Sequence, residues 1–369
     1  MFFLTVVAVY LAANIYIFMR GLHALPSGFA RLIFALVFAL CFVAFFGGMI
    51  FEDKMPATLA SVLQHIGGTW LISLIYLFAA VLFIDIIRIA DHFLHFLPDF
   101  FSTQQAKICV FGAVAAAVTA VLVVGVVNFN HPLVQHFSID TKKSTDNIQR
   151  IVVASDLHLG YTIGNSKLND FVELINKQNP DLVLLCGDVF DRSLRPVESL
   201  NMTANMRKIK AKYGVYAILG NHEHYGDPVR VASILADAGI ILLRDSVVSP
   251  VPNIYLVGRD DFSNKYRRTL AELMTGLDSN KFIVLLDHQP HNLDEACAAG
   301  VDIQFSGHTH DGQVFPINLI TRLIYEKSYG YYRKGDTHYY ITSGLGLWGA
   351  HLRIGTNSEL VVLTVENKK

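Results

Sequence analysis

The stretch QRIVVASDLH, residues 149–158, decides the fold of the larger part of the chain. Its apolar residues from Ile151 to Ala154 form a short run that is typical of a buried strand. Two polar residues, Asp156 and His158, follow where that strand should run into a loop. Because ligands of open α/β sheets gather at the carboxyl ends of the strands, the stretch predicts a strand that delivers an acid and an imidazole to a functional site.

The same arrangement recurs along the chain, where short apolar runs alternate with amphipathic segments in the pattern of an α/β domain. The predicted strands cover residues 149–155, 181–186, 213–219, 253–258, 282–287, 301–305, 338–343 and 359–365. Predicted helices cover about 166–177 and 291–299, and another follows Pro196. Five strands end in the motifs DLH (156–158), GDVFDR (187–192), GNHE (220–223), DH (287–288) and GHTH (307–310). We therefore expect these five motifs to meet at one place.

The residue types in these motifs suit the hydrolysis of a phosphate ester. That reaction needs a strong nucleophile near neutral pH and compensation of the charge on the phosphate oxygens. Two divalent cations about 3.5–4 Å apart supply both, because they lower the pKa of a shared water and clamp the phosphoryl group. One carboxylate must then bridge the cations, and His, Asp or Asn suit the other positions. Gly187, Gly220 and Gly307 each precede a motif residue, where glycine allows a tight turn and a close approach.

Taken together, the five motifs resemble those of the calcineurin-like metallophosphoesterases, and the resemblance covers about residues 149–365. It implies a four-layer αββα sandwich that holds two divalent cations, one on each side of a bridging carboxylate. The implied residues are Asp156, His158 and His310 for the first cation, Asp188 as the bridge, and Asn221, His288 and His308 for the second.

The resemblance also assigns catalytic residues that do not bind metal. His222 would face the oxygen of the leaving group, with Asp191 hydrogen-bonded to its other ring nitrogen. A carboxylate in that position would fix the tautomer and raise the pKa of the imidazole, which favours a proton donor. Arg192 would contact a phosphate oxygen, and Glu223 would be a local hydrogen-bonding partner, not a ligand.

Within this family the chain is most similar to the membrane-associated branch, whose last motif ends GHTHGGQ. Here residues 307–313 read GHTHDGQ, so Asp311 replaces a glycine and puts the loop geometry beyond His310 in question. The branch is linked to phosphodiesters and lipid-related phosphoesters, including UDP-diacylglucosamine on the route to lipid A. The resemblance therefore implies a lipid-linked substrate, with phospholipids and small soluble phosphoesters as alternatives.

The N-terminal part has a different composition. Residues 1–140 hold five of the 30 Lys and Arg and six of the 31 Asp and Glu, which leaves 25 of each sign in residues 141–369. Four apolar runs, at 2–19, 29–51, 68–90 and 107–128, have about the length needed to cross a bilayer. The predicted organisation is an all-α bundle of four transmembrane helices in residues 1–128, a linker at 129–147 and the α/β domain at 148–369.

Basic residues predict the orientation of these spans. Arg20 and Arg31 lie between spans one and two, and Arg88 and Lys107 lie between spans three and four. By the positive-inside rule these two loops are cytoplasmic, which predicts a multi-pass protein of the cell membrane with its α/β domain outside the cytoplasm. The lysine pair at 142–143, just after span four, favours the opposite orientation.

Three further segments have alternative interpretations. Asp85, inside span three, is either functional, as ionisable groups in membranes are by default, or paired with Arg88 three residues along the helix. The apolar segment VFPINLITRLI, residues 314–324, precedes several tyrosines and suits a lipid interface, or packs on the domain core. The run SGLGLWG, residues 343–349, predicts a flexible loop able to close over the site.

Composition also excludes some functions. A nearly neutral domain lacks the basic face of a nucleic-acid-binding protein, and four cysteines without a CxxC motif imply no disulfide framework. Donors of mixed type suit manganese, iron or zinc better than magnesium, and we expect manganese first. A non-catalytic metal-binding sensor in the membrane is the competing hypothesis, although it has no use for His222 and Asp191. The sequence does not indicate an oligomeric state.

Overall fold

A computed structural model of the protein describes residues 2–145 and 148–367. The chain divides into two compact units. One comprises Met1–Val126 with Gly349–Leu352, and the other comprises Val127–Trp348 with Arg353–Lys369.

The first unit is built on four helices that are long and apolar enough to cross a membrane. They are α1 (Phe2–Ala24), α2 (Phe29–Ile50), α3 (Ala57–Leu94) and α4 (Gln104–Asn130). All four predicted spans are therefore helical, and three of the helices extend beyond the predicted bounds. Many of their aliphatic and aromatic side chains are exposed, as in helices that face lipid.

Asp85, a buried acid of α3, has a different partner from the one that helical spacing predicted. Asp85 forms an ion pair with Arg20 of α1, with 2.5 Å between Oδ2 and Nη2, and it accepts a hydrogen bond from the hydroxyl of Tyr16. The prediction of an ion pair with Arg88 is wrong. Spacing along one helix identifies neighbours on that helix only, whereas this pair joins α1 to α3.

The second unit contains two six-stranded sheets. The strands of the first sheet, in spatial order, are β1 (Leu133–Thr141), β12 (Glu359–Asn367), β2 (Arg150–Ala154), β3 (Leu182–Cys186), β4 (Val215–Ile218) and β5 (Ile241–Leu242). Those of the second are β10 (Gly330–Lys334), β11 (Thr337–Ile341), β9 (Ile303–Ser306), β8 (Phe282–Leu286), β7 (Ile254–Gly258) and β6 (Ser246–Val251). Both central regions are parallel, as expected for strands connected by helices.

Helices cover the outer faces of both sheets. The helices of this unit are α5 (Asn165–Lys177), α6 (Arg195–Ser199), α7 (Met202–Met206), α8 (Asn221–Tyr225), α9 (Pro228–Asp237), α10 (Leu270–Met274), α11 (Leu293–Ala298) and α12 (Ile317–Ile324). Apolar side chains of α5 and α9 pack on the first sheet, and those of α10 and α11 pack on the second. A third core lies between the sheets and joins residues such as Val153 and Leu184 to Leu286 and Phe305. The predicted αββα sandwich is confirmed.

Local sequence explains the central elements. All five residues of β3 are apolar and buried, because a central parallel strand is covered on both faces. Helix α5 buries Leu168, Phe171, Val172 and Ile175, whose spacing places them on one face. These elements support the loops that follow the strands.

The predicted linker, residues 129–147, is partly regular structure. It contains β1, an edge strand that pairs in parallel with β12, so the domain begins earlier than predicted. Polar residues such as Gln135 and His136 interrupt the apolar pattern of β1, because one side of an edge strand faces solvent.

Candidate metal centre

Five neighbouring strands deliver the motif residues to one place. Strands β2, β3 and β4 are parallel in the first sheet, and β8 and β9 are parallel in the second. Their carboxyl ends lead to the residues Asp156, Asp188, Asn221, His288 and His308. The sandwich therefore brings together donors that are far apart in the sequence.

The first group of donors consists of Asp156, His158 and His310, and one potential ligand atom from each lies within 4.8 Å of the others. Nε2 of His310 is 3.2 Å from Nε2 of His158 and 3.5 Å from Oδ1 of Asp156. All three are buried or nearly so. This is the set predicted for the first cation.

The second group consists of Asp188, His288 and His308, again within 4.8 Å, and Asn221 joins it through a 2.7 Å contact between its Oδ1 and Nδ1 of His308. Oδ2 of Asp188 lies 3.2 Å from Nε2 of His288. The same oxygen lies 3.7 Å from Nε2 of His158 in the first group. One carboxylate oxygen therefore stands between the two groups, where a bridge is required.

The donor chemistry fits divalent cations. Nδ1 of His288 donates to the carbonyl of Cys186 at 2.8 Å, which directs the lone pair of Nε2 toward Asp188. Within the described residues, that buried Nε2 has no hydrogen-bond partner. Burial lowers the pKa of His158 to about 3 and that of His308 to about 4, so both imidazoles are neutral, the form that binds metals.

Backbone strain is concentrated at these donors. Asp156, His158, Asp188, His308 and His310 have φ values of 56°, 47°, 49°, 69° and 50°, in the left-handed region that side chains other than glycine rarely adopt. Such conformations persist where the surrounding structure enforces them, which is common at functional sites.

Two motif glycines permit the donors to converge. A Cβ atom on Gly220 would collide with the carboxylate of Asp188, and one on Gly307 would collide with Ser155 and Asp156. Both positions therefore require glycine, because a donor from another motif lies where a Cβ atom would be.

His222 and Asp191 lie beside the first group. Nδ1 of His222 is 2.8 Å from Oδ1 of Asp191, and its ring centroid is 4.6 Å from that of His158. Burial alone would lower the pKa of His222, but the hydrogen bond with Asp191 and the charge of Asp188 raise it to about 9. Arg192 is exposed next to this pair, and its backbone N–H donates to Asp191.

Comparison with known proteins identifies the domain. Residues 149–312 match the model of the calcineurin-like phosphoesterases. An uncharacterized metallophosphoesterase of Aquifex aeolicus is 30% identical over 243 residues, which cover 64% of this chain and 92% of that protein. The chain belongs to the calcineurin-like phosphoesterase family.

Other members of the family share its membrane character by name. A transmembrane protein with metallophosphoesterase domain from Danio rerio is 33% identical over 272 residues, which cover 68% of this chain and 62% of that protein. The chain likewise spans about three fifths of metallophosphoesterases from Campylobacter jejuni and Helicobacter pylori. A solved structure, a dimetal phosphatase from Danio rerio, aligns with a TM-score of 0.37 and 12% identity over 54% of this chain and 88% of that one.

The calcineurin-like domain of this chain also contains a buried arginine that the motifs do not include. Arg353 is fully buried and donates to the carbonyls of His310, Ser343 and Gly346 at 3.0, 2.6 and 2.7 Å. It thereby ties a metal donor to the glycine-rich segment. Sequence spacing does not identify this residue, because its partners are backbone carbonyls, which are present in every residue type.

The glycine-rich segment differs from the prediction of a flexible loop. Ser343 to Leu347 are buried, and a Cβ atom on Gly344 or Gly346 would collide with Asp156. Glu359 also accepts the backbone N–H of Ser343 at 3.0 Å. The segment is therefore a packed support for Asp156, and exposed side chains begin at Trp348, whose ring is 6.3 Å from His222.

Asp311 stands where the family motif has a glycine, and its backbone conformation shows how the loop accommodates this change. Its φ and ψ of 47° and 36° are left-handed, a conformation that Asp tolerates better than most residues. The carboxylate is buried and 3.8 Å from the guanidinium of Arg322, and burial raises its pKa.

Proposed function

We propose that the protein is a membrane-anchored hydrolase that cleaves phosphodiester or pyrophosphate bonds with two divalent cations. The observation that carries the proposal is the position of Oδ2 of Asp188, within 3.7 Å of a donor nitrogen in each group. Manganese is the first expectation, and iron and zinc are the alternatives, because three kinds of donor atom are present.

The seven donors are proposed to hold the cations as two groups joined by Asp188. When bound, the cations would lower the pKa of water to supply a nucleophile and would compensate the charge of the phosphate. His222 would hold a proton on Nε2, because Nδ1 is engaged with Asp191. Burial lowers the pKa of this imidazole but its hydrogen bond with Asp191 raises it, which favours a proton donor to the departing oxygen. Arg192 would contact a phosphate oxygen from the exposed side.

Hydrolysis itself is tested with the full chain in detergent, stripped with a chelator and assayed on a chromogenic phosphodiester. We expect added Mn²⁺ to restore cleavage. Iron and zinc are added to separate samples for comparison. A panel of phosphomonoesters, phospholipids and UDP-linked lipids such as UDP-diacylglucosamine then ranks substrates. Absence of cleavage with all three metals and every substrate would contradict the proposal and favour a metal-binding sensor.

A lipid-linked substrate is supported by α12. Leu323 and Ile324 are 87% and 66% exposed, and Leu319 and Ile320 are about half exposed, so this apolar face does not pack on the domain core. Tyr325 follows directly, and its ring centroid is 6.3 Å from that of His308. An exposed apolar helix that ends beside the donors suits an acyl chain of a substrate whose phosphate is at the centre.

The lipid proposal is tested by the double variant Leu319→Asp/Leu323→Asp. We expect cleavage of a long-chain lipid phosphodiester to fall at least about tenfold, because burial of two leucines is lost, while a soluble chromogenic phosphodiester is cleaved within about twofold of wild type. Val229→Asp, on a similarly exposed apolar residue of α9, is the control. Equal effects on both substrates would refute the lipid role and leave the hydrolase proposal intact.

We further propose a multi-pass location in the cell membrane with the catalytic domain outside the cytoplasm. The basic residues of loops one and three support this orientation. Protease accessibility of the domain in intact cells is the test. A domain protected from external protease would reverse the orientation and favour a cytoplasmic substrate.

A further inference from the structure

A cavity of about 500 Å³ lies among the four helices of the first unit. Its wall includes Phe34, Phe38, Trp70 and Phe111, and aliphatic side chains complete it. The volume is within the range of sites that bind small organic molecules, which run from about 300 to 1,000 Å³. The apolar wall is therefore suited to contact the hydrocarbon part of a ligand.

The lining of this cavity also includes basic side chains. Arg20, Arg88 and Lys107 line it, and Asp85 is the carboxylate among the lining residues. Asp85 is already engaged by Arg20. Within residues 2–145 and 148–367, neither Arg88 nor Lys107 forms an ion pair. Two positive charges therefore line an apolar cavity without a carboxylate within ion-pair distance in the described part of the chain.

An uncompensated cation near hydrocarbon is costly, so these charges favour an anionic ligand. A soluble anion would not use the aromatic wall, and a neutral lipid would not compensate the cations. Basic pockets between transmembrane helices are suited to phosphate-bearing lipid headgroups. We propose that the cavity binds an anionic phospholipid, with its phosphate at Arg88 and Lys107 and the adjoining part of its acyl chains against the aromatic wall.

This site is separate from the metal centre, and its test does not depend on hydrolysis. The full chain is reconstituted in phosphatidylcholine nanodiscs that contain a small fraction of fluorescent phosphatidylglycerol, and binding is measured by energy transfer from tryptophan. We expect saturable binding in wild type and at least about tenfold weaker binding in Arg88→Gln/Lys107→Gln, since each cation near the membrane surface contributes to the attraction. Arg31→Gln/Lys54→Gln, at cations outside the cavity, is the matched control.

A second variant separates the cavity from general surface attraction. Val114→Phe narrows the cavity, retains both cations and adds no tryptophan to the readout, so we expect it to weaken saturable binding at least about tenfold. Unchanged binding in this variant, or equal losses in the two double variants, would overturn the proposal. Full competition by millimolar inorganic phosphate would also overturn it, because the site would then recognise the anion without the lipid.

Discussion

Oε2 of Glu223 lies 3.0 Å from the backbone nitrogen of Asp188, so one buried carboxylate holds the main chain of the proposed bridging residue. The same side chain accepts the N–H groups of Phe190 and Gly220 at 2.8 and 2.7 Å. Glu223 thus joins two motifs through hydrogen bonds to their main chain, in agreement with its predicted role as a local hydrogen-bonding partner.

Replacement of this carboxylate by an amide should weaken the centre. In Glu223→Gln one acceptor oxygen becomes a donor that faces a backbone N–H, and we expect a loss of about 1–3 kcal/mol in the free energy of unfolding. Chemical denaturation measures the loss, and metal content is measured in parallel. Glu198→Gln, at an exposed ion pair with Arg230, should change stability by no more than about 0.5 kcal/mol.

Asp188→Asn tests the bridge. Because a neutral amide carries no charge to share between two cations, we expect the metal content to fall from two ions per chain to one or none. Elemental analysis of protein purified without chelator gives the count. Asp170→Asn, on the exposed face of α5, should retain both ions. Two ions in Asp188→Asn would exclude a bridging role for this residue.

His222→Asn separates proton donation from metal binding. Loss of a general acid should lower kcat by about 100- to 10,000-fold, while the metal content stays at the wild-type value. Steady-state kinetics on a chromogenic phosphodiester and elemental analysis of the same sample check both parts. His136→Gln, at an exposed histidine of β1, is the control. Hydrolysis at the wild-type rate in His222→Asn would refute the assigned mechanism.

The left-handed backbone at Asp311 predicts that a glycine variant is more stable than a valine variant at this position. Asp311→Gly removes a strained side chain and a buried carboxylate oxygen without a hydrogen-bond partner in the described residues, so we expect no loss of stability. Asp311→Val places a branched side chain in the same conformation and should cost about 1–2 kcal/mol. Denaturation midpoints give the order, and a Val variant as stable as the Gly variant would contradict the backbone argument.

His224 gives a stability effect that depends on pH. Its Nε2 is 2.7 Å from Oδ1 of Asp260, and this hydrogen bond raises the pKa of His224 above 6.5 in the folded state. The stabilisation is therefore complete below pH 6.5 and is lost as the pH rises through the folded-state pKa. We expect His224→Gln to lower the melting temperature more at pH 6 than at pH 9. Equal decreases at both values would exclude a charged His224 in the folded protein.

The sequence predicted an α/β domain and the convergence of the motifs because both follow from short-range patterns, whereas the four-layer sandwich was implied by the family resemblance. Apolar runs marked β2, β3, β4, β8 and β9, and parallel strands bring their ends to one edge. The edge strand β1 escaped prediction because solvent on one side removes the continuous apolar run.

Contacts between distant residues were not predictable in this way. Arg20 forms an ion pair with Asp85 of another helix. Arg353 donates to backbone carbonyls, and because every residue has one, the residue types do not indicate which carbonyls are its partners. The exposure of Leu323 also depended on what packs against α12, which periodicity alone does not determine.

Helix α3 has 38 residues and is therefore about 57 Å long at 1.5 Å per residue, whereas the hydrocarbon core of a bilayer is about 30 Å thick. Even at a tilt of about 40°, the upper end of the usual range, roughly twelve residues must extend into headgroups or water. Ser61, Gln64 and His65 make the N-terminal end suited to that environment. In a bilayer of different thickness, a different share of α3 would be hydrated, and the helix would still be long enough to span the hydrocarbon core.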